Sequence, residues 1–478
     1  ASIVSNKYRY VSAFLVAALW LYYKKNRKLT SVKKTAVLEG FVAKGFEGVK
    51  RQCLENILSG RDDGVQICCY HNGEKVVDIS GGPSPMKRLF PESLSVIFSC
   101  SKVLESLVIA MLVDRGLLDY NTPIAQYWPE FGDKICEKIK VKDLMRHQSG
   151  LSGTVKPISL DTLRDPDKLA AELLKQQCAF NPYDESEEAK RIAEQECFHV
   201  MKTAHIDGFT QKIERGAKRQ AYNAVTRGFY SSELVRQVDP SNRTLSEFFE
   251  QEVALKLENM DGRDCYIGCP KSQQARCIQP SEEGGISALI RIISNFLFPK
   301  WLLGWIFDDF SRMYEFEKTF FKNLFHSERR KLALQAFSAV ENAPGAMIIA
   351  GSPDIRSIPM ASVTGVSNAR AMACIFSDLD LLLSQKAFER ALHTEGAGVD
   401  EILARPVTYT ASGWGADRFE FVGAKGWYGW GGIGGSLLLF NPATKSSFAY
   451  VPSRLNKRLF KPRGVSCLKE FIAAIEKL

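Results

Sequence analysis

Ser99 and Lys102, three residues apart at the head of an apolar stripe, constrain this chain more than any other feature. The stripe, Leu104, Leu107, Val108, Met111 and Leu112, has the i, i+3, i+4, i+7 spacing of a buried helix and ends at Gly116. Leu94, Val96, Ile97 and Phe98 precede it as an apolar run. Ser99 is therefore placed at a helix N-terminus, with Lys102 one turn on and projecting from the same face, close enough to accept the hydroxyl proton. Serine followed three residues later by lysine occurs at four places: Ser31, Ser84, Ser99 and Ser466. Ser31 lies in a basic tail, Ser84 in a Gly/Pro loop and Ser466 at the start of the terminal amphipathic helix, so context selects Ser99. A serine hydroxyl is a poor nucleophile until a neighbour removes its proton, and lysine can do so once burial or nearby positive charge lowers its pKa. Free amide N–H groups of the first helical turn can help to hold a developing oxyanion.

The rest of the pattern predicts a sheet assembled from both chain ends. A hairpin over 65–80 turns at Asn72-Gly73, a dipeptide suited to a turn with two positive φ angles. Strands are expected over 407–410, 436–440 and 447–451, covered by a final helix through Leu468, Phe471, Ile472 and Ile475. The middle of the chain reads as mostly helical. The expected fold is α/β of the α+β type: an antiparallel sheet built from both ends and flanked by helices, a mainly helical subdomain, and the active site between them. With 478 residues, 45% of them hydrophobic, a sizeable core is assured, and no repeat or low-complexity tract breaks the chain.

Further motifs follow Ser99 in order. They are Leu118 to Pro123 with Tyr127-Trp128-Pro129; Leu144-Met145-Arg146-His147-Gln148-Ser149-Gly150-Leu151; Ala221 to Gly228 leading to Glu233-Leu234-Val235-Arg236; Gly365 to Ala373; and Tyr428 to Gly435. On these motifs the chain resembles the serine β-lactamase and penicillin-binding-protein superfamily, in particular its class C-like esterase branch and the eukaryotic β-lactamase-like proteins. The resemblance implies that Ser99, Lys102 and Tyr222 are catalytic, with Tyr222 exchanging protons with Ser99. It implies an oxyanion hole from the backbone N–H groups of Ser99 and Ile433, and substrate contacts at Asn223, Trp430, Gly431 and Gly432. Ala224 stands where the second motif of β-lactamases has asparagine. Tryptophan stands where the third motif usually has a cation, which favours a neutral or apolar substrate over one with a carboxylate. His147 reads as structural, not as the general base. The implied activity is hydrolysis of an ester or small amide through an acyl-serine intermediate, an esterase in preference to a peptidase. The alternative class is a non-catalytic scaffold acting by membrane or self-association.

Two charged or apolar inserts interrupt the plan, at about 156–216 and about 286–325. At the N-terminus, residues 10–23 form an apolar run with Lys7 and Arg9 before it and Lys24, Lys25, Arg27 and Lys28 after it. Residues 1–38 are expected to be a membrane anchor with a basic linker, and 39–478 the hydrolase domain. The heavier charge after the run predicts a single-pass signal anchor with a cytosolic catalytic domain. The lack of any acidic residue before Glu39 leaves a mitochondrial presequence as the alternative. The net charge of +9 sits largely in this tail, which points to anionic lipid headgroups and away from nucleic acid. The twelve cysteines show no metal-ligand spacing, so reduced thiols, no metal and no cofactor are expected. The partners implied are a small-molecule or lipid-like ester or amide, a membrane, and a second copy of the chain in a homo-oligomer.

Overall fold

The structure, a computed structural model, describes residues 35–84, 88–131, 136–184, 186, 219–282, 327–342, 346–403, 405–417, 419–455 and 463–478. Among these, nine strands form one sheet: β1 Val37–Val42, β2 Val65–His71, β3 Glu74–Gly82, β4 Thr394–Asp400, β5 Arg405–Thr410, β6 Gly415–Ala416, β7 Tyr428–Gly431, β8 Leu437–Asn441 and β9 Ser446–Pro452. Their spatial order is β1-β3-β2-β9-β8-β7-β6-β5-β4, and each neighbouring pair is antiparallel. The two chain ends meet at the centre, where β2 pairs with β9 from Val65↔Pro452 to Tyr70↔Ser447. The hairpin turns as expected, with positive φ at both Asn72 (52°) and Gly73 (76°).

Successive residues of a strand point to opposite faces, and here both faces are covered. Ile67, Cys69, Leu437, Leu439, Phe448 and Tyr450 face the first helix, α1 Glu47–Leu58, and the last, Gly464–Ile475. Cys68, Leu438, Phe440 and Ala449 face the opposite layer, whose central helix is α2 Ser101–Asp114. Burial on both sides explains why β8 reads as the run Leu-Leu-Leu-Phe instead of alternating. The second layer also holds α3 Thr226–Val238, α4 Ala369–Ile375 and α5 Gln385–Leu392, and the C-terminal helix is α6. The fold is the expected α+β arrangement, a large antiparallel sheet flanked by helices.

Strand β4, Thr-Glu-Gly-Ala-Gly-Val-Asp, is a finding that the pattern did not predict, because its glycines remove the alternation that marks a strand. Of the first insert, Leu160–Arg164 and Pro166–Leu173 are helical, with Leu163 and Leu173 buried in the core. Its charged remainder over 187–216 and the whole second insert, 286–325, lie outside the described residues.

The expected membrane localisation is corrected. Among the described residues no helix is long and apolar enough to cross a membrane. The 10–23 segment on which that expectation rested lies outside the described residues.

Candidate active site

Ser99 sits in a single 3-10 turn, Phe98–Cys100, that leads directly into α2. Phe98 takes a left-handed backbone (φ 49°), a conformation that costs a non-glycine residue about 1–2 kcal/mol. Neighbouring contacts hold the corner in place. The Ser101 hydroxyl donates to the Phe98 carbonyl and accepts the Gly365 N–H at 2.9 Å. Position 365 must be glycine, since a Cβ there would lie 2.4 Å from Ser101 Oγ. On the other side, Ser436 Oγ donates to the Ile97 carbonyl at 2.8 Å and Cys100 Sγ lies 3.5 Å from the Trp430 carbonyl. These contacts clamp the end of β7 against the Ser99 turn. A Cβ at Gly432 would come within 2.4 Å of the Ile97 carbonyl oxygen, so the close approach depends on glycine.

The structure brings Ser99, Lys102, Tyr222 and Trp430 together. The Tyr222 hydroxyl donates to Ser99 Oγ at 2.9 Å and accepts the Trp430 indole N–H at 3.2 Å. The indole is nearly parallel to the Tyr222 ring, with centroids 5.7 Å apart and 19° between planes, and stacks on Tyr409 as well. Trp430 is only 4% exposed. Its polar edge is thus committed to Tyr222, where the resemblance implied a substrate contact.

Lys102 is buried, and its ammonium nitrogen donates to the carbonyls of Ala224 (2.7 Å) and Ser362 (3.1 Å) while lying 4.9 Å from the centre of the Tyr222 ring. Its side chain therefore reaches past Ser99 to the Tyr222 segment, and the group bonded to the serine is the tyrosine. Burial first, and the positive charge of Arg227 second, hold the Lys102 amine well below its ordinary pKa, against an opposing pull from Glu105. In its neutral form this amine has two N–H bonds, which the two carbonyls accept. The lone pair is left as the proton acceptor.

One helical turn below Lys102 lies a buried ion pair that the sequence pattern did not disclose. Arg227 binds Glu105 through two parallel bonds, at 3.0 and 3.1 Å, with both side chains fully buried. Its remaining donors reach the carbonyls of Met145, Gly413 and Lys102, while Glu105 accepts the hydroxyls of Ser231 and Ser362, each at 2.8 Å. The partners come from α2, α3, the short helix Val141–Met145 and two loops. Helical spacing marks Glu105 and Arg227 as lying on inward faces, but a pairing across 122 residues has no local signature.

The Tyr222 segment is held from two further directions. Asp400 Oδ1 accepts the N–H of Tyr222 (3.3 Å), Ile402 (3.0 Å) and Leu403 (2.8 Å), and burial pushes its carboxyl up to about 6. His147 Nδ1 accepts the Asn223 N–H at 3.0 Å, and its ring contacts both Tyr222 and Tyr409 at 4.8 Å between centroids. Burial first, and the positive charge of Arg227 second, hold this imidazole well below its ordinary pKa. Asn223 is fully buried and donates its side-chain amide to the Leu151 carbonyl at 3.1 Å, so it braces the loop after His147. Ile433 follows Gly431 and Gly432 in the turn closed by the Gly432 N–H on the Ser436 carbonyl (2.8 Å), with its side chain 39% exposed. A surface cavity of about 290 Å³ lined by Asp378, Asp380, Glu389 and Lys445 shares no residue with this site. Among the described residues no group of side chains could hold a metal ion.

Comparison with known proteins agrees with this fold. A family model described as Beta-lactamase matches residues 51–463. The esterase/beta-lactamase LipL of Mycobacterium tuberculosis is 41% identical over 111 residues, 23% of this chain, and the match spans about a quarter (26%) of LipL's length. Three solved structures share the fold: a family VIII carboxylesterase (TM-score 0.68, 22% identity, 92% of this chain and 99% of that one), a penicillin-binding protein homologue from Caulobacter crescentus (0.65, 22%, 92% and 100%) and EstA from Arthrobacter nitroguajacolicus Rue61a (0.64, 24%, 91% and 98%).

Proposed function

The chain belongs to the Beta-lactamase family of serine hydrolases, and from that premise we propose that it cleaves small neutral esters through an acyl-Ser99 intermediate. The observation that carries this reading is the 2.9 Å bond between Tyr222 and Ser99, with the buried Lys102 amine, its pKa lowered by burial and Arg227, behind the tyrosine. For transfer the Tyr222 O–H turns from Ser99 toward the Lys102 lone pair, so that the 2.9 Å bond reverses and the tyrosine oxygen takes the Ser99 proton as its own proton moves to the amine; the pair then returns a proton to the leaving alkoxide. Trp430 assists by donating to the Tyr222 oxygen, which favours the charge that oxygen carries during transfer. The backbone N–H groups of Ser99 and Ile433 hold the oxyanion.

An ester is preferred for two reasons. Where a carboxylate-binding cation would stand, an indole occupies the strand and is already bonded to Tyr222, so a penicillin finds no charge partner there. The family VIII carboxylesterase, and the esterase half of the description of LipL as an esterase/beta-lactamase, support the same class.

Short p-nitrophenyl esters should be turned over with a burst of nitrophenol, and Ser99→Ala should abolish burst and turnover while leaving the far-UV spectrum unchanged. A burst retained in that variant removes Ser99 from the role. A penicillin preferred over a neutral ester of similar size, by kcat/KM, contradicts the proposed substrate class.

A further inference from the structure

We infer that Cys269 and Cys277 form a reversible dithiol–disulfide site, oxidised by a hydroperoxide, whose closure tightens the strand that delivers the nucleophile turn. The inference stands on its own geometry and does not depend on the ester-hydrolase reading.

The two sulfur atoms lie 3.4 Å apart, both reduced, so a bond needs an approach on the order of 1 Å to reach disulfide length. The short 3-10 helix Lys271–Arg276 between them already holds the loop ends together. Gln274 donates its side-chain amide to the Cys269 carbonyl at 3.0 Å, and its own carbonyl accepts the Cys277 N–H at 3.1 Å. Little chain reorganisation is required.

The two thiols differ in the way an attacking and a resolving sulfur must. Cys277 is half-buried and reachable, whereas Cys269 is buried. The hydrogen bond from the Cys269 thiol, aided by Arg356 and Arg276, holds Cys277 below its ordinary pKa, while Cys269 is raised. The Cys277 thiolate attacks the hydroperoxide, forming a sulfenic acid and expelling an alkoxide that leaves as alcohol or water. The Cys269 thiol then displaces hydroxide from that sulfur, forming the S–S bond and, with its proton, water. Overall, two thiols and one hydroperoxide give one disulfide, one alcohol and one water. Cys53 and Cys467 are also joined by a hydrogen bond, but both lie in the core and lack access, so they serve as an internal control.

The site connects directly to the nucleophile. Cys277 pairs with Leu94 in a parallel bridge, fixed by Leu94 N–H on the Arg276 carbonyl (3.0 Å) and Ile278 N–H on the Leu94 carbonyl (2.8 Å). Cys269 packs in one apolar cluster with Leu94, Val96 and Phe98, the last being the left-handed residue that sets Ser99. Drawing the two sulfurs together therefore tightens a cluster that supports Phe98.

The reduced full chain should be treated with hydrogen peroxide, blocked with a maleimide, digested and mapped by mass. The expected product is a linked pair of peptides carrying Cys269 and Cys277, two hydrogens lighter than their sum, reversed by dithiothreitol and formed before any Cys53–Cys467 link. In Cys269→Ser the reaction should stop at a Cys277 sulfenic acid that dimedone traps. Amide hydrogen exchange over 94–98 should slow several-fold in the linked protein. Both thiols still alkylated after peroxide, or Cys277 passing to the sulfinic acid with no link, overturns the site. A link formed with unchanged exchange over 94–98 overturns the coupling.

Discussion

Two layers packed around the start of α2, one turn apart, solve opposite problems. The upper layer, Ser99, Lys102 and Tyr222, keeps protons exchangeable: a hydroxyl bonded to another hydroxyl, and an amine driven toward neutrality by burial. The lower layer, Glu105 and Arg227, keeps them fixed, with both charges paired in two parallel bonds and the surrounding donors and acceptors supplied by Ser231, Ser362 and three carbonyls. Ser362 joins the two, since its hydroxyl donates to Glu105 and its carbonyl accepts from Lys102. A reactive layer tolerates displaceable protons because a saturated layer beneath it holds its backbone rigid.

The comparison predicts different kinds of damage from the two layers. Tyr222→Phe removes the atom bonded to Ser99 and should lower kcat/KM by about 100- to 10,000-fold, with the unfolding midpoint little changed. Arg227→Met strikes the lower layer instead. It leaves Glu105 buried without its partner and should cost about 3–5 kcal/mol in denaturant unfolding, visible whether or not substrate is present. If Arg227→Met spared stability and Tyr222→Phe destroyed it, the division between the layers would be wrong. Trp430→Phe keeps an aromatic ring but loses the N–H on the Tyr222 oxygen. It should reduce kcat about 3- to 10-fold, since the charge that the Tyr222 oxygen carries during transfer loses a donor.

The smallest effect belongs to Asp400, which supports the Tyr222 backbone without touching the serine. Its carboxyl is raised to about 6 in the fold, so the folded state is favoured while the group is protonated. That contribution is complete below the ordinary carboxylate range and is lost as pH rises through about 6. Asp400→Asn should flatten this slope in unfolding stability measured between about pH 4 and about pH 6, the interval from the ordinary carboxylate value to the raised one.

What the sequence disclosed follows from range. Residues that work within one element were legible: the Asn72-Gly73 turn, the stripe of α2, the buried face of α6 and the position of Ser99 at a helix start. Contacts between elements were not. Helical spacing puts Lys102 beside Ser99, yet the carbonyls that orient its amine come from Ala224 and Ser362, 122 and 260 positions away. The substrate contact at Trp430 comes from the resemblance alone, while its hydrogen bond to Tyr222 depends on how its strand meets a distant loop. Asp400 was invisible because β4 is rich in glycine and its support of Tyr222 is through backbone N–H groups, which leave no trace in residue type.

The central claim is that the serine held by Tyr222 is the nucleophile, and active-site labelling tests it most directly. The full chain should be treated with a fluorophosphonate probe, digested and mapped by mass. The account predicts a single modified peptide carrying the adduct on Ser99, absent in Ser99→Ala and much slowed in Tyr222→Phe. An adduct on another serine, or labelling undiminished in Ser99→Ala, would contradict it.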